Sequence, residues 1–461
     1  MMTAVRQSSV RENGRVVVAA LVVFELVIVS FVNYYGMASS MLSSRTGDAN
    51  VMLAAHTVID LQGVYTDPPK RSQLYQTNED LSQMHIVFSM SCTQDKRRLL
   101  QTVFQFSAMA VGQKGPITQI LSGCTDAERE AVMKEPTFYY DFRRHFTPSY
   151  SPHPEPGITD DYTPYNKPFA LRHFLTHADP PVNHEMIALV DADFVWFKPL
   201  EYYHGSRDKA TVTDTVKDGY AIAQDWHNYM GVGWFGEGDR PKLERLCTGK
   251  PCINVTQEDA AEYYASTGPP YIMTTRDMRR MIDDYSHFVV LGRNLTDIWM
   301  VEMYAYAVAA SNHGIEHTLL NNLGVTHPMF ADHEHEHWKF VSDDLMNPCT
   351  DPYSVVIPED PPVGVHYCQK YGFVQDDKSR YHYYKYTIPD DIVECKSPLL
   401  KLPPATEWTD AIAMKDDAKR HEVWAECSLI KIVNQALLKL KQTTCPTGFN
   451  SFQGTELKGN K

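Results

Sequence analysis

The sequence has little of the positive charge that a nucleic-acid-binding surface requires. Its 43 lysine and arginine residues are outnumbered by 57 aspartate and glutamate residues, which gives a formal net charge of -14 at pH 7. A chain with this balance has no basic surplus to neutralise phosphates, so we expect no nucleic-acid partner. The 461 residues are 43% hydrophobic, which is typical of a globular protein that buries a full core in one large domain or two ordinary ones.

The chain also lacks the Cys-x-x-Cys pairs that are typical of zinc sites, although it contains nine cysteines. Disulfides formed in an oxidising compartment explain these cysteines more simply. Cys247 and Cys252 could close a small loop, and Cys92 and Cys124 could join two early strands. An odd number of cysteines leaves at least one thiol free or in an intermolecular bond.

One apolar run, residues 16–35, is long enough to span a bilayer as a helix, and Glu25 is its only charge. Three arginines precede it, at positions 6, 11 and 15. The positive-inside rule then places residues 1–15 in the cytoplasm and the body in the lumen. This pattern predicts a single-pass type II protein with a signal anchor in the Golgi membrane or the endoplasmic reticulum. A cleaved secretory signal is the alternative, because small residues follow in "GMASS".

No internal repeat is visible, and composition divides the remaining chain into four parts. Residues 36–80 are mixed and polar and are expected to form a stem. The body follows over residues 81–395, then a helical extension over residues 396–445 and a disordered tail over residues 446–461. Two Asn-x-Thr triplets, beginning at Asn254 and Asn294, would fit a lumenal glycoprotein, although such triplets also arise by chance.

The body opens with a strand, helix, strand order that predicts a parallel α/β sheet. The strands are "HIVFSMS" and "PITQILSG", and the helical segment between them is "QDKRRLLQTVFQFSAMAV". A second helix is predicted in "YNKPFALRHFLTHA", where Leu171, Phe174 and Leu175 fall on one face. It leads into "MIALV", a continuous apolar run that indicates a central strand covered on both faces.

Asp191 and Asp193 come directly after this strand. Ligands bind at the carboxyl ends of strands in open α/β sheets. Two carboxylates separated by one residue on an extended chain point to the same side, and their repulsion requires a cation. Mg²⁺ or Mn²⁺, held together with substrate phosphates, suits such oxygen ligands. The simpler alternative is a solvated turn.

Four stretches, in order, resemble the hydroxyproline O-arabinosyltransferase family and the related peptidyl serine α-galactosyltransferases. They are "HIVFSMSCT" with "LSGCT", the "NKP" helix with "DADFVWFKPL", "WMVEMYAYAVAASNHG", and "VHYCQKYG". The resemblance implies a membrane-anchored enzyme whose body, residues 81–395, has a GT-A-like nucleotide-sugar-binding α/β fold with a mixed, mainly parallel central sheet. It further implies metal-dependent, retaining transfer of a sugar from a UDP-sugar to a peptide hydroxyl.

The resemblance also implies roles for individual residues. His366, in the apolar segment "VGVHYCQ", would be the third ligand of the Mn²⁺ (or Mg²⁺) beside the donor-binding Asp191 and Asp193, whereas a lone histidine there is otherwise a core residue. Glu302 lies among large apolar side chains, where a carboxylate must be paired or used, so it is a candidate catalytic residue in contact with a sugar. A structural partner is its alternative, and Asp297 is expected to cap this helix.

Other polar residues are weaker candidates for binding the donor or a metal. Asn166 and Lys167 could bind the donor, with Lys167 donating to its diphosphate, and a solvated lysine is the alternative. Lys385 is a lesser diphosphate candidate, for which a solvated lysine is the favoured alternative. Alternating histidines at positions 333, 335 and 337 could bind zinc, but the acidic residues between them favour a solvated loop.

The donor and acceptor depend on finer details of the resemblance. The block "EMYAYAVA" is similar to the arabinosyltransferases and favours transfer of arabinofuranose to hydroxyproline. The regular "DAD" departs from their usual Glu-Pro-Asp and is similar to the serine galactosyltransferases, which is the first alternative. A non-catalytic lumenal scaffold that binds peptide or glycan with the same fold is the second, and a metal-dependent phosphohydrolase the third.

Overall fold

The computed structural model describes residues 80–201, 216–328, 337–372 and 383–457 and the backbone of residues 57–60. These residues belong to one compact unit, Ala55–Lys461. In these ranges no helix is both long and apolar enough to cross a bilayer. The predicted cytoplasmic tail, the predicted anchor at residues 16–35 and most of the predicted stem lie outside the described residues.

Fourteen strands are described. They are β1 (Thr57–Asp60), β2 (His85–Ser91), β3 (Ile117–Ser122), β4 (Phe142–Thr147), β5 (Met186–Val190), β6 (Phe194–Trp196), β7 (Tyr220–Asp225), β8 (Thr267–Thr274), β9 (Glu316–Leu320), β10 (Gly324–Val325), β11 (Ser354–Ile357), β12 (Gly364–His366), β13 (Leu399–Leu400) and β14 (Gln453–Thr455).

Ten α-helices accompany them. They are α1 (Arg97–Ala110), α2 (Asp126–Lys134), α3 (Asn166–His177), α4 (His227–Met230), α5 (Arg240–Leu246), α6 (Gln257–Tyr263), α7 (Thr275–Arg293), α8 (Val301–Asn312), α9 (Thr406–Met414) and α10 (Asp417–Thr444). Short 3₁₀ turns lie at Thr163–Tyr165, Gly233–Phe235, Pro251–Asn254, Lys385–Thr387 and Asp390–Val393.

A seven-stranded sheet in the order β4-β3-β2-β5-β8-β7-β9 forms the centre. Four neighbouring pairs are parallel, and the two antiparallel pairs both involve β8. The predicted mixed, mainly parallel α/β sheet is therefore confirmed. The parallel part arises because helices α1 and α3 carry the chain back across the sheet between successive strands.

The central strand β5 is buried along its whole length. Its side chains alternate between two hydrophobic cores. Ala188 and Val190 pack with α1 and α10 in one core, while Ile187 and Leu189 pack with α3, α7 and α8 in the other. Helices therefore cover both faces of β5, which explains why its sequence is apolar without alternation.

A small sheet in the order β10-β12-β6 places the next functional segment. Strand β6 follows Asp193 directly, and β12 pairs with it in antiparallel register so that His366 lies opposite Phe194. This pairing brings a segment 173 positions further along the chain beside the end of β5. Sequence periodicity gives no information on this register, since both strands are only three residues long.

The predicted cysteine pairs are confirmed by disulfides Cys92–Cys124 and Cys247–Cys252. Two further disulfides, Cys349–Cys427 and Cys395–Cys445, attach the long helix α10 to the body. All nine cysteines lie among the described residues, and Cys368 is the free thiol that the odd count requires.

The structure differs from three local expectations. The prediction that Asp297 caps α8 is wrong, because the helix begins at Val301 after Met300, without a side-chain capping bond. In the predicted tail, β14 pairs with β13 and so orders residues 453–455. Within the predicted stem, β1 pairs with β11 of the body.

Candidate functional site

Asp191, Asp193 and His366 meet at the carboxyl end of β5. One ligand atom from each residue lies within 4.8 Å of the others. The Nε2 atom of His366 is 3.1 Å from Oδ1 of Asp193 and 3.6 Å from Oδ2 of Asp191. The structure thus brings together the three residues that the sequence indicates as metal ligands.

The surroundings of this triad fit a divalent ion. Two carboxylates and one imidazole are ligands that Mn²⁺ and Mg²⁺ accept, and they leave positions for substrate oxygens. The ring of Trp226 stacks on His366 with centroids 5.1 Å apart and planes at 22°, which fixes the imidazole plane. Asp193 and His366 are buried, and Asp191 remains partly open to solvent. Negative charge in such a place requires compensation.

Lys385 supplies part of that compensation. Its Nζ contacts Oδ2 of Asp193, while Oδ1 of the same carboxylate faces His366. Burial acts to raise the pKa of Asp193, but the charges of Lys385 and then His366 outweigh it and hold the pKa well below its usual value. The expectation that Lys385 is a solvated lysine is wrong, because this lysine is 7% exposed and in contact with Asp193.

Lys167 joins Asp191 to Glu302. Its Nζ lies 2.8 Å from Oδ1 of Asp191 and 3.1 Å from Oε2 of Glu302. Burial acts to lower the pKa of Lys167, but the two carboxylates outweigh burial and raise it, so this side chain stays charged. The first turn of α3 therefore delivers a cation to the end of β5.

Glu302 is buried and bonded on both oxygens. Oε2 pairs with Lys167, and Oε1 accepts a hydrogen bond from the hydroxyl of Tyr285. Its own backbone N–H donates to the Tyr162 hydroxyl at 3.1 Å. Burial, followed by the charge of Asp191, raises the pKa of Glu302 against the opposing effect of Lys167. These contacts hold Lys167 in position, and the predicted contact of Glu302 with a sugar remains a prediction.

Asn166 precedes Lys167 and supports the local backbone. Its Oδ1 accepts from the backbone N–H of Tyr150 at 2.9 Å, and its Nδ2 donates to the Thr163 carbonyl at 3.2 Å. Its predicted contact with the donor remains a prediction. Of the three histidines considered for zinc, those at positions 333 and 335 lie outside the described residues.

Sequence reasoning missed the contacts that Lys385, Trp226 and Tyr285 make at this site. The aromatic run "YHYYKY" is the one local signal of an enclosed Lys385. Nothing near Trp226 or Tyr285 in the sequence indicates a partner in a distant segment, because both contacts depend on the packing of separate elements.

Comparison with models of known protein families finds no match. The chain is 27% identical over 249 residues to a peptidyl serine α-galactosyltransferase of Arabidopsis thaliana, a match that covers 52% of the chain. It spans only 27% of that relative's length. This similarity confirms the resemblance to the peptidyl serine α-galactosyltransferases found in the sequence.

Two solved structures are also similar. One is the galactosyltransferase LgtC in complex with donor and acceptor sugar analogues, with a TM-score of 0.36 at 12% identity, covering 62% of this chain and 87% of LgtC. The other is the bifunctional glycosyltransferase WbbM, with a TM-score of 0.32 at 10% identity, covering 55% of this chain and 41% of WbbM.

Proposed function

We propose that the protein is a glycosyltransferase that moves a sugar from a UDP-sugar to a hydroxyl group of a peptide. The observation that carries this proposal is the meeting of Asp191, Asp193 and His366 at the carboxyl end of a buried parallel strand. Sites for phosphorylated ligands lie at this edge of α/β sheets. The relative's sugar-transfer activity supports the same reaction class, and a GT-A-like nucleotide-sugar fold is part of the proposal.

Asp191, Asp193 and His366 would hold Mn²⁺ or Mg²⁺. When bound, such an ion stabilises the negative charge that develops on the leaving diphosphate. Lys167 and Lys385 are the chain's own cations next to these ligands, and both carboxylate contacts keep them at the site before substrate binds. Each lysine would donate to donor phosphate oxygens.

Other residues hold these groups in place. Tyr285 holds the carboxylate of Glu302, Glu302 in turn fixes the ammonium group of Lys167, and Trp226 fixes the ring of His366. Pre-arranged charges of this kind need no reorganisation when the glycosidic bond breaks. Retention of the anomeric configuration follows from the resemblance, and we assign no side chain as nucleophile.

Two donor and acceptor pairs deserve comparison. The sequence block at residues 302–309 favours arabinofuranose and hydroxyproline. The named relative, together with the regular Asp-x-Asp, favours galactose and serine. A single-pass type II anchor with the body in the Golgi or endoplasmic reticulum lumen is proposed from residues 16–35, and it would place the site where secreted peptides pass.

Transfer assays with the full-length chain test the proposal. UDP-arabinofuranose and UDP-galactose are each offered with hydroxyproline-rich and serine-rich peptides, in the presence of Mn²⁺ and after its removal with EDTA. We expect Mn²⁺-dependent transfer from one donor to one peptide class. No transfer from either donor, with peptide binding retained, would instead indicate a non-catalytic scaffold.

A further inference from the structure

Trp299 is the exposed exception among the tryptophans. The chain has seven tryptophans, and all of them lie among the described residues. Six are at most 7% exposed, whereas Trp299 is 68% exposed, and its neighbour Ile298 is 41% exposed. An indole in water leaves a large apolar area unburied. Adjacent exposed apolar side chains of this size are typical of a binding surface.

The backbone that carries Trp299 is held in place from below. The hydroxyl of Tyr162 donates to the Trp299 carbonyl and accepts a hydrogen bond of 3.1 Å from the backbone N–H of Glu302. The rings of Tyr162 and Trp299 meet edge to face, with centroids 5.8 Å apart. The guanidinium of Arg293 lies 4.4 Å from the centre of the Tyr162 ring and pairs with Asp160 at 2.7 Å. Because its support is already ordered, the indole loses little freedom when a ligand binds.

The segment that contains Trp299 borders the candidate site at two places. Glu302, three positions further along the chain, is the buried carboxylate that pairs with a lysine of the site. The next residue after Trp299, Met300, packs on a small apolar cluster that includes Trp226. The ring of Trp226 stacks on His366. The exposed indole therefore lies at the rim of the site.

The charges around Trp299 do not favour an anionic ligand. Asp297 and Asp161, close neighbours in the chain of Trp299 and Tyr162, are both exposed. The side chain of Arg293 is 13% exposed and already paired with Asp160. The two lysines that could receive the donor diphosphate lie instead beside the metal ligands. Charge complementarity therefore assigns this surface to an uncharged or basic ligand, which describes the acceptor peptide better than the nucleotide donor.

We propose that Trp299 and Ile298 bind the acceptor peptide through the proline-type rings that flank the residue receiving the sugar. This inference rests on the proposed transfer of sugar to a peptide. A peptide whose hydroxyl reaches the site continues over its rim on either side, at about 3.1 Å per residue in the polyproline II conformation. Exposed aromatic side chains bind this conformation because it is preformed and has little entropy to lose.

Acrylamide quenching of tryptophan fluorescence in the full-length chain measures whether this surface is occupied, because acrylamide quenches exposed indoles most strongly. The probes are a peptide of alternating proline and hydroxyproline, a glycine–serine peptide of the same length, and UDP with Mn²⁺. We expect the proline-rich peptide to protect Trp299 and the other two probes to leave quenching unchanged. Equal protection by both peptides, protection by UDP with Mn²⁺, or no protection by any probe overturns the proposal.

Transfer kinetics test the same surface through substitution. Trp299→Ala should raise the KM for the peptide by more than about 10-fold, as for a tryptophan that dominates an interface. The KM for the UDP-sugar should not change, because the indole contacts only the acceptor. Trp299→Phe should recover most of the loss, since a phenyl ring also packs on proline rings. Phe452→Ala is the matched control and should leave both KM values unchanged, because Phe452 is 72% exposed next to β14, outside the site.

The outcomes separate this surface from the proposed reaction. An unchanged peptide KM in Trp299→Ala, with transfer intact, overturns the docking surface and leaves the sugar transfer standing. No transfer by the parent, with Trp299 still protected by the proline-rich peptide, overturns the transfer and supports the docking surface. The quenching measurement on the parent needs no substitution, so it does not depend on the folding of a variant.

Discussion

Asp193 illustrates how single residues at this site are held before any ligand binds. Its two oxygens face two different cationic or ionisable groups, Lys385 and His366, from segments far along the chain. Asp191 shares Lys167 with Glu302 in the same manner. Each of the two aspartates thus has a lysine partner, Lys167 for Asp191 and Lys385 for Asp193. These ion pairs offset the repulsion between the two carboxylates after the buried strand β5.

Replacing Lys385 should have opposite effects on stability and metal binding. Lys385→Met leaves Asp193 buried with one partner fewer and should lower the metal-free unfolding free energy by about 3–5 kcal/mol. Mn²⁺ affinity without nucleotide should rise at least about 10-fold, because a single positive charge at about 4 Å repels a divalent ion by roughly 8 kcal/mol at an effective dielectric constant of 20. Electron paramagnetic resonance of free Mn²⁺ measures this affinity.

Lys401→Met is the control for Lys385. Lys401 pairs with Glu456 at 2.6 Å where both side chains are more than a third exposed, so its loss should change stability by less than about 1 kcal/mol. Its Mn²⁺ affinity should match that of the parent. Weaker Mn²⁺ binding in Lys385→Met than in Lys401→Met would contradict the view that Lys385 and the ion compete for Asp193.

His317 should make the protein less stable in acid. It is buried on β9 with Nε2 3.0 Å from the Tyr306 hydroxyl, and burial lowers its pKa from 6.5 to about 3. Between these two values the unfolded chain binds a proton that the folded chain does not, so this contribution to stability decreases as the pH falls from 6.5 towards 3.

Urea unfolding of the parent and of His317→Gln at pH 7, 6 and 5 measures this effect. The difference in unfolding free energy between the parent and His317→Gln should change by up to about 1.4 kcal/mol per pH unit below pH 6.5, because the parent loses stability faster. The exposed His287 is the control, since His287→Gln should have the same dependence of unfolding free energy on pH as the parent. Parallel pH profiles for the parent and His317→Gln would show that His317 titrates normally in the folded state.

At the scale of elements, the pairing of β12 with β6 decides whether His366 reaches the aspartates. Gly364 begins β12 opposite Trp196. A Cβ atom at this position would overlap the Val195 carbonyl oxygen and the Phe194 ring, and a backbone oxygen cannot move aside without shifting the strand. The glycine is therefore required by the close approach of the two strands.

Gly364→Ala should displace β12 and with it His366. We expect a stability loss of about 1–3 kcal/mol, as for overpacking in a core, and a fall in Mn²⁺ affinity of about 10–100-fold, as when support of a metal ligand is lost. Titration calorimetry measures the Mn²⁺ affinity, and thermal unfolding measures the loss of stability. Gly238→Ala is the control, because a Cβ there meets nothing within 4 Å. Equal Mn²⁺ affinities in both variants would show that this strand pair does not place the ligand.

Elements with strong local signals were predictable. The apolar run of β5 and the spacing of Leu171, Phe174 and Leu175 in α3 identify these elements because burial on a regular structure leaves a periodic pattern. The start of α8 was misplaced because Asp297 is a common capping residue, but the helix begins four positions later at Val301.

At the scale of the whole molecule, the site depends on contacts that no local pattern records. Asp193 and Lys385 are 192 positions apart, and Asp193 and His366 are 173 apart. Only the resemblance to a known family indicated that His366 is a metal ligand. Nothing in the sequence indicated that Lys385 pairs with Asp193. Such contacts follow from the pairing of β12 with β6 and from the packing of the turn at Lys385–Thr387 beside β5, which are properties of the folded chain.

The central claim is that Asp191, Asp193 and His366 together hold the divalent ion of a sugar-transfer site. His366→Gln removes the imidazole while both lysines keep their carboxylate partners, and Asp410→Asn, at an exposed position on α9, is its control. The most direct measurement is Mn²⁺ titration calorimetry of these variants and of the Asp191→Asn, Asp193→Asn double variant, each saturated with UDP. The account predicts Mn²⁺ binding weakened more than about 100-fold in the double variant and more than about 10-fold in His366→Gln. Undiminished Mn²⁺ affinity in the double variant would contradict it.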